Sequence, residues 1–291
     1  MKEHSVPTRD GRTLRVREDG DPSGAPIFSL HGTPGSRLLY LPHVADALEH
    51  HVRLIGYDRP GYGGSTAQPD RRVAGVATDV AAIADALGIR RFGVWGHSGG
   101  GAPALACAAR LPERVVAAAS LAGVAPYDAP GLDHLAGMGE ANVEDFKLMI
   151  SDRAAWERKG DLEAEQMLHA TPEELLAFLS TLLSDVDRSS LTPELGEFFT
   201  LQLREGLRNG AAGMRDDNLA DYAPWGFAVS EIRVPVQIWH GGTDRFVGFP
   251  HGEWLAAHVP GAEAHLEPNG GHLTLYQQRI PAVHRWILEH F

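Results

Sequence analysis

The sequence predicts an α/β fold built on a doubly wound, mostly parallel sheet. Short apolar runs rich in β-branched residues alternate with longer segments of helical periodicity, an order typical of parallel strands joined by crossover helices. These runs are nearly continuous, as expected for strands buried on both faces. One of them ends in a Gly-x-Ser-x-Gly pattern and is followed by an alanine-rich helical segment. The sequence therefore predicts a serine displayed where a strand turns into a helix.

The predicted elements follow this alternation along the chain. The first few residues and residues 13–17 are expected to form an antiparallel lead-in. Further strands are predicted at residues 26–30, 52–57, 92–95, 115–121, 234–239 and 264–267. Helical patterns occupy residues 37–50, 73–87, 101–111 and 252–258, and residues 281–291 are expected to be part of a closing helix.

The alternation breaks between residues 126 and 224, where helix signals occur without a strand pattern. Thr171 and Thr192 each precede a proline and an acidic residue, which is typical of a helix start. The leucines that follow recur at helical spacing, which indicates packing among helices or the lining of a pocket. We predict an α/β core of residues 1–125 and 226–291, with a helical cap of residues 126–225 inserted after the sixth strand.

Composition limits the possible partners. The chain has 291 residues and a net charge of −12, and an acidic surface repels nucleic-acid backbones. Its single cysteine, Cys107, excludes an intramolecular disulfide. No signal-peptide pattern or membrane-spanning run is visible. We expect a cytoplasmic protein with a small-molecule substrate and neither a nucleic-acid nor a membrane partner. The oligomeric state stays open.

Ser98 is the candidate nucleophile, in the segment Gly-His-Ser-Gly-Gly at residues 96–100. A nucleophile elbow needs glycines at both flanks because neighbouring backbone approaches closely there. The start of the following helix favours nearby negative charge. The pattern alone is weak, since an ordinary glycine-rich loop between strand and helix would also produce it.

His272 is the candidate base. A serine hydroxyl needs a base to accept its proton and a carboxylate to orient that base. His272 follows the last predicted strand in a glycine turn, so it can reach the carboxyl edge of the sheet. The chain has 15 histidines, and His251, His258 and His265 are nearby rivals.

Asp244 is the candidate orienting acid. It follows the seventh predicted strand by a short glycine turn and precedes the histidine in the chain. Its main rival is Asp128, just beyond the sixth strand, and a simple turn or helix cap is the structural alternative for either.

Backbone N–H groups of Thr33 and Gly99 are the candidate oxyanion donors. Gly99 is the residue after the nucleophile, where such a donor is expected. The second donor should come from the loop at residues 31–35, in which Pro34 has no N–H. An ordinary strand-ending turn is the alternative for this loop.

With these motifs in place, the chain resembles capped serine hydrolases of the α/β-hydrolase fold. The matching segments are residues 31–35, 57–65, 96–100, 241–244 and 271–272. The resemblance implies an eight-stranded sheet, a Ser98–His272–Asp244 triad and an oxyanion hole from Thr33 and Gly99. It also implies that Val247 and Leu273, just beyond the acid and the base, bind substrate.

The resemblance further implies a hydrolase that cleaves an ester, lactone or related acyl bond of a small, largely apolar substrate through an acyl-enzyme. Neither a cofactor nor a metal is expected. Epoxide hydrolases and haloalkane dehalogenases carry aspartate where this chain has Ser98. C–C bond hydrolase, lyase or aminopeptidase chemistry on the same triad, and a ligand-binding homologue without catalysis, remain the alternatives.

Overall fold

Strands and helices alternate as predicted in the computed structural model, which describes residues 1–291. The strands are β1 (Lys2–Pro7), β2 (Thr13–Gly20), β3 (Ala25–Leu30), β4 (Val52–Tyr57), β5 (Phe92–His97), β6 (Val115–Leu121), β7 (Val236–Gly241) and β8 (Glu263–Glu267). The helices are α1 (Leu41–Glu49), α2 (Gly75–Ala86), α3 (Gly101–Arg110), α4 (Glu140–Ser151), α5 (Arg153–His169), α6 (Pro172–Phe178), α7 (Asp185–Ser190), α8 (Pro193–Leu207), α9 (Ala212–Asp221), α10 (Phe249–His258) and α11 (His272–Leu288).

All eight strands form one sheet in the order β1-β2-β4-β3-β5-β6-β7-β8. The β1–β2 and β2–β4 pairs are antiparallel, and every other pair is parallel. This arrangement confirms the predicted fold class, including the antiparallel lead-in. Parallel order brings the carboxyl ends of β3, β5 and β7 to one edge, where ligands bind in open α/β sheets.

The central strands are apolar because both faces of the sheet are covered. Every residue of β5, β6 and β7 is buried. Successive side chains alternate between the faces, so that Val94 packs in one hydrophobic core and Trp95 in the other. The edge strand β8 is only partly buried.

Six helices, α4 to α9, lie between β6 and β7, within the range predicted as a cap. We call this segment, residues 126–225, the helical insertion. Two of its predicted helix starts are confirmed. Thr171 Oγ1 accepts the Glu174 N–H at the start of α6, and Thr192 Oγ1 accepts the Leu195 N–H at the start of α8.

The closing helix includes most of the residues predicted to be part of it, but it begins earlier in the chain. It starts at His272, nine residues before Pro281, which lies inside the helix. A proline removes one backbone hydrogen bond. In α11 this loss is offset by a buried apolar stripe that packs on the sheet, formed by Leu275, Tyr276, Ile280, Val283 and Ile287. His272 is therefore the first residue of a helix and not part of the predicted glycine turn. None of the helices is both long enough and apolar enough to cross a bilayer.

Candidate active site

Ser98 occupies a strained turn between β5 and α3. Its φ of 55° lies in the left-handed region, which costs a non-glycine residue about 1–3 kcal/mol. Close backbone packing surrounds it, since a Cβ on Gly96 would lie 1.9 Å from the carbonyl oxygen of Gly100. Ser98 is partly exposed, although the strand before it is buried. The turn thus presents the serine hydroxyl at the carboxyl edge of the sheet.

Asp244 contacts His272 directly. Asp244 Oδ2 lies 2.7 Å from His272 Nδ1, and its Oδ1 accepts the N–H groups of Phe246 at 2.8 Å and Val247 at 2.9 Å. Burial raises the pKa of the Asp244 carboxyl, but the adjacent His272 outweighs this effect and the pKa lies below its ordinary value. Asp244 is therefore an ionised carboxylate oriented toward the imidazole.

Two further side chains restrain His272. His97 Nε2 donates to the backbone carbonyl oxygen of His272 at 2.9 Å, and the Phe246 ring stacks on the imidazole with 4.5 Å between centroids. Burial, with the neighbouring His272, lowers the pKa of His97 to about 3. His97 is consequently a neutral donor at physiological pH, and it holds the backbone of the candidate base.

Ser98 and His272 border the same cavity but are not hydrogen bonded to each other in this structure. Hydrogen bonds between a nucleophile and its base are often long or poorly aligned before substrate binds. The rival residues lie elsewhere. Asp128 is exposed, His251 Nδ1 accepts the Ala125 N–H, and the rings of His258 and His265 stack on tryptophans. Asp244 and His272 are thus the acid and imidazole that the fold brings together beside Ser98.

The two candidate oxyanion residues are neighbours. A Cβ placed on Gly99 would lie 3.2 Å from the Thr33 backbone nitrogen and 2.2 Å from its Oγ1. The same loop also approaches the serine, because a Cβ placed on Gly32 would lie 3.4 Å from Ser98 Cβ. The loop after β3 therefore packs directly against the turn that carries Ser98.

A buried charge network, which the sequence did not reveal, holds this loop from the insertion side. Asp217 of α9 accepts hydrogen bonds from Thr33 Oγ1 at 2.7 Å, Tyr62 Oη at 2.7 Å and Arg71 Nη1 at 2.6 Å. It also pairs with Arg59, whose guanidinium reaches the carbonyl oxygens of His31 and Gly32. Burial would raise the pKa of Asp217, but Arg59 and Arg71 hold it well below its ordinary value.

The sequence marks one member of this network, Arg59, but not its partner Asp217. Arg59 falls within the glycine-rich segment after β4 that supports the family resemblance. Asp217 is one of several acidic residues in an ordinary helical stretch, and nothing in its sequence neighbourhood marks it as buried. Its role follows from tertiary packing, because Asp217 and Arg59 are 158 positions apart in the chain.

The cavity beside Ser98 has a volume of about 130 Å³ and 25 lining residues, none of them Asp, Glu, Lys or Arg. The helical insertion supplies a mostly apolar wall, to which Gln202 adds one polar side chain. The other residues of this wall are Met167, Pro172, Leu175, Leu176, Leu179, Leu191, Gly196, Phe199 and Leu203. Leu273 also lines the cavity. Val247 does not: it lies in the hydrophobic core, and its backbone contacts Asp244 and His240. No cluster of three or more His, Cys, Asp or Glu residues is arranged to hold a metal ion.

Comparison with known proteins identifies relatives over most of the chain. A 2-hydroxy-6-oxo-6-phenylhexa-2,4-dienoate hydrolase of Burkholderia cepacia is 28% identical, over 91% of this chain and 87% of its own length. A bifunctional esterase/perhydrolase of Acinetobacter calcoaceticus is 27% identical, over 84% of this chain and 83% of its own. The crystal structure of a hydrolase from Pseudomonas aeruginosa has a TM-score of 0.70 at 21% identity, covering 99% of this chain and 98% of that one.

The family model for the alpha/beta hydrolase fold matches residues 25–278, which include Thr33, Ser98, Asp244 and His272. The eight-stranded sheet, the strained serine turn and this match agree, and the chain belongs to the α/β-hydrolase fold family.

Proposed function

We propose that this protein is a cofactor-independent serine hydrolase that cleaves an ester, lactone or related acyl bond through an acyl-enzyme. One observation carries the proposal. Ser98, on its strained turn, opens into the same cavity as His272, whose Nδ1 lies 2.7 Å from the ionised Asp244. Nucleophile, base and orienting acid are the three parts that activation of a serine hydroxyl requires.

In the proposed reaction, Ser98 Oγ attacks the acyl carbon while His272 Nε2 accepts the hydroxyl proton. Asp244 keeps the proton on Nδ1 and stabilises the imidazolium that forms. The N–H groups of Thr33 and Gly99 stabilise the tetrahedral oxyanion. His272 then donates its proton to the alcohol as the ester C–O bond breaks and the acyl-enzyme forms. A water molecule, deprotonated by His272, attacks the acyl carbon, and His272 returns the proton to Ser98 Oγ as the carboxylic acid is released.

The cavity favours an uncharged acyl group of limited size. Its walls carry no formally charged residue, so a buried substrate carboxylate would lose its hydration without gaining a counter-ion. An apolar cavity of about 150 Å³ accommodates benzene. The volume of about 130 Å³ therefore fits an acyl group of about five or six carbon atoms.

The same feature weighs against the second candidate, hydrolysis of a carbon–carbon bond in a dienoate. That chemistry is suggested by the name of the Burkholderia cepacia relative, whose substrate carries a carboxylate. The cavity of this chain offers no cation to receive it. We expect p-nitrophenyl butanoate to be hydrolysed and 2-hydroxy-6-oxo-6-phenylhexa-2,4-dienoate to remain intact. The opposite selectivity would favour the C–C hydrolase.

Active-site labelling tests the nucleophile before any substrate is known. A fluorophosphonate should add one adduct to the intact protein, and Ser98→Ala should abolish both the adduct and ester hydrolysis. Ser29→Ala is the matched control, because Ser29 lines the same cavity without the strained turn, and this variant should still be labelled. Wild-type protein that stays unlabelled, while a known esterase reacts, would favour a ligand-binding homologue without catalysis.

A further inference from the structure

Asp187 in the helical insertion lies at the N-terminus of the helix that begins with His272. Its carboxylate accepts the backbone N–H groups of His272 at 3.2 Å, Leu273 at 2.7 Å and Thr274 at 3.2 Å. The first N–H groups of a helix have no partner within the helix. Asp187 satisfies three of them although it lies 85 positions before His272, and it is completely buried.

Neighbouring residues leave space for the Asp187 carboxylate and form hydrogen bonds with it. A Cβ on Gly271 would lie 2.3 Å from Asp187 Oδ1, so glycine before the histidine leaves room for the carboxylate. Ser184 Oγ donates to Asp187 Oδ2 at 2.8 Å and lies 3.2 Å from Thr243 Oγ1. Because Thr243 immediately precedes Asp244, the Ser184–Asp187 pair contacts both the acid loop and the base helix.

The Asp187 carboxylate is held by backbone N–H groups and the Ser184 hydroxyl, and not by a cation. No Lys, Arg or His forms an ion pair with it, whereas the positive end of the α11 dipole and three N–H groups face its oxygens. A buried carboxylate held in this way fixes the position and direction of the first turn of α11. The imidazole of His272 projects from that turn toward Asp244.

We propose that Asp187 is a positioning residue for the His272 base, so that the helical insertion completes the catalytic machinery as well as the cavity wall. This inference rests on the proposed function, since it assumes that His272 acts on Ser98. The Asp187 carboxylate touches neither the nucleophile nor the substrate; it acts through the backbone of the residue that moves the proton.

Asp187→Asn is the primary test, because the amide has the same shape but lacks the charge and has a single acceptor oxygen. We expect kcat for p-nitrophenyl butanoate to fall about 10- to 100-fold with KM within about twofold, as for a small misplacement of a reacting group. The rate of fluorophosphonate labelling at Ser98 should fall in parallel. Ser184→Ala keeps the carboxylate and removes one of its hydrogen bonds, so a smaller fall in kcat is expected even if Asp187→Asn does not fold.

Asp152→Asn is the matched control. Asp152 also belongs to the insertion and caps a helix, accepting the Ala155 N–H at 2.9 Å, but it is exposed and forms no hydrogen bond with α11. Its kcat should equal that of the wild type. The inference is overturned if Asp187→Asn and Ser184→Ala fold and retain wild-type kcat and labelling rate, or if Asp152→Asn loses as much kcat. Failure of wild-type protein to label would instead refute the proposed function.

Discussion

Substitution of Gly196 should shorten the acyl chains that the cavity accepts. Gly196 lies within α8 and lines the cavity, and the only neighbouring-element atom near a Cβ placed there is Pro172 Cβ, at 3.5 Å. Gly196→Leu would add four carbon atoms to a cavity of about 130 Å³. Room for about four methylenes of substrate would be lost, or about 3 kcal/mol at about 0.8 kcal/mol for each buried methylene.

This loss corresponds to about a 200-fold fall in kcat/KM for p-nitrophenyl hexanoate, with the acetate changed less than about twofold. Gly196→Ala removes room for one methylene and should lower the hexanoate value about fourfold. Both expected changes are tested by measuring kcat/KM for the acetate, butanoate, hexanoate and octanoate esters.

Gly160→Ala controls for the gain in helix propensity that follows any glycine replacement in a helix. Gly160 lies within α5 and outside the cavity, and a Cβ there would meet only Met214 Cε, at 3.7 Å. This variant should keep the wild-type chain-length preference. If Gly196→Leu also kept it, the acyl group would not occupy this cavity, and the assignment of the substrate site would be wrong.

Two further predictions concern buried ionisable side chains. Asp217→Asn leaves Arg59 and Arg71 without their shared counter-charge, and such a loss typically costs about 3–5 kcal/mol. Asp217→Asn should therefore lower Tm, and it should lower kcat by a larger factor than it raises KM. The control is Asp79→Asn, which breaks the buried Arg12–Asp79 pair outside the cavity and should lower Tm without changing kcat. Equal kcat in the two folded variants would contradict a role for Asp217 in holding the loop that carries Thr33. The second prediction is acid lability. Burial lowers the pKa of three histidines to about 3 and of a fourth to about 4, these being His43, His97, His251 and His134. Each takes up a proton only on unfolding, so stability present above pH 6.5 is lost as pH falls toward these values, by about 2 kcal/mol per histidine at pH 5. Urea unfolding at pH 7.5 and pH 5.0 measures this loss, and equal free energies of unfolding would contradict it.

The fold could be predicted from local sequence because each element carries its own signal. The fully buried strands β5 and β6 are continuous apolar runs, and Thr171 and Thr192 mark the starts of α6 and α8. The start of α11 could not be predicted from local sequence, because the side chain that caps it is Asp187, far away in the chain. No residue just before His272 provides a side chain that caps the helix. A helix start stabilised from another element leaves no pattern beside it.

The candidate site divides in the same way. Ser98, Asp244 and His272 could be proposed from the sequence by itself, because each follows a predicted strand in a glycine-containing turn, and parallel strands bring such turns to one edge. Only the tertiary structure decided that Asp217 holds the Thr33 loop, that Asp187 caps α11 and that the cavity carries no formal charge. The physical reason is the separation along the chain of the residues that interact. Secondary structure and turns are encoded by neighbours a few positions apart, whereas a buried carboxylate is stable only where distant donors converge on it.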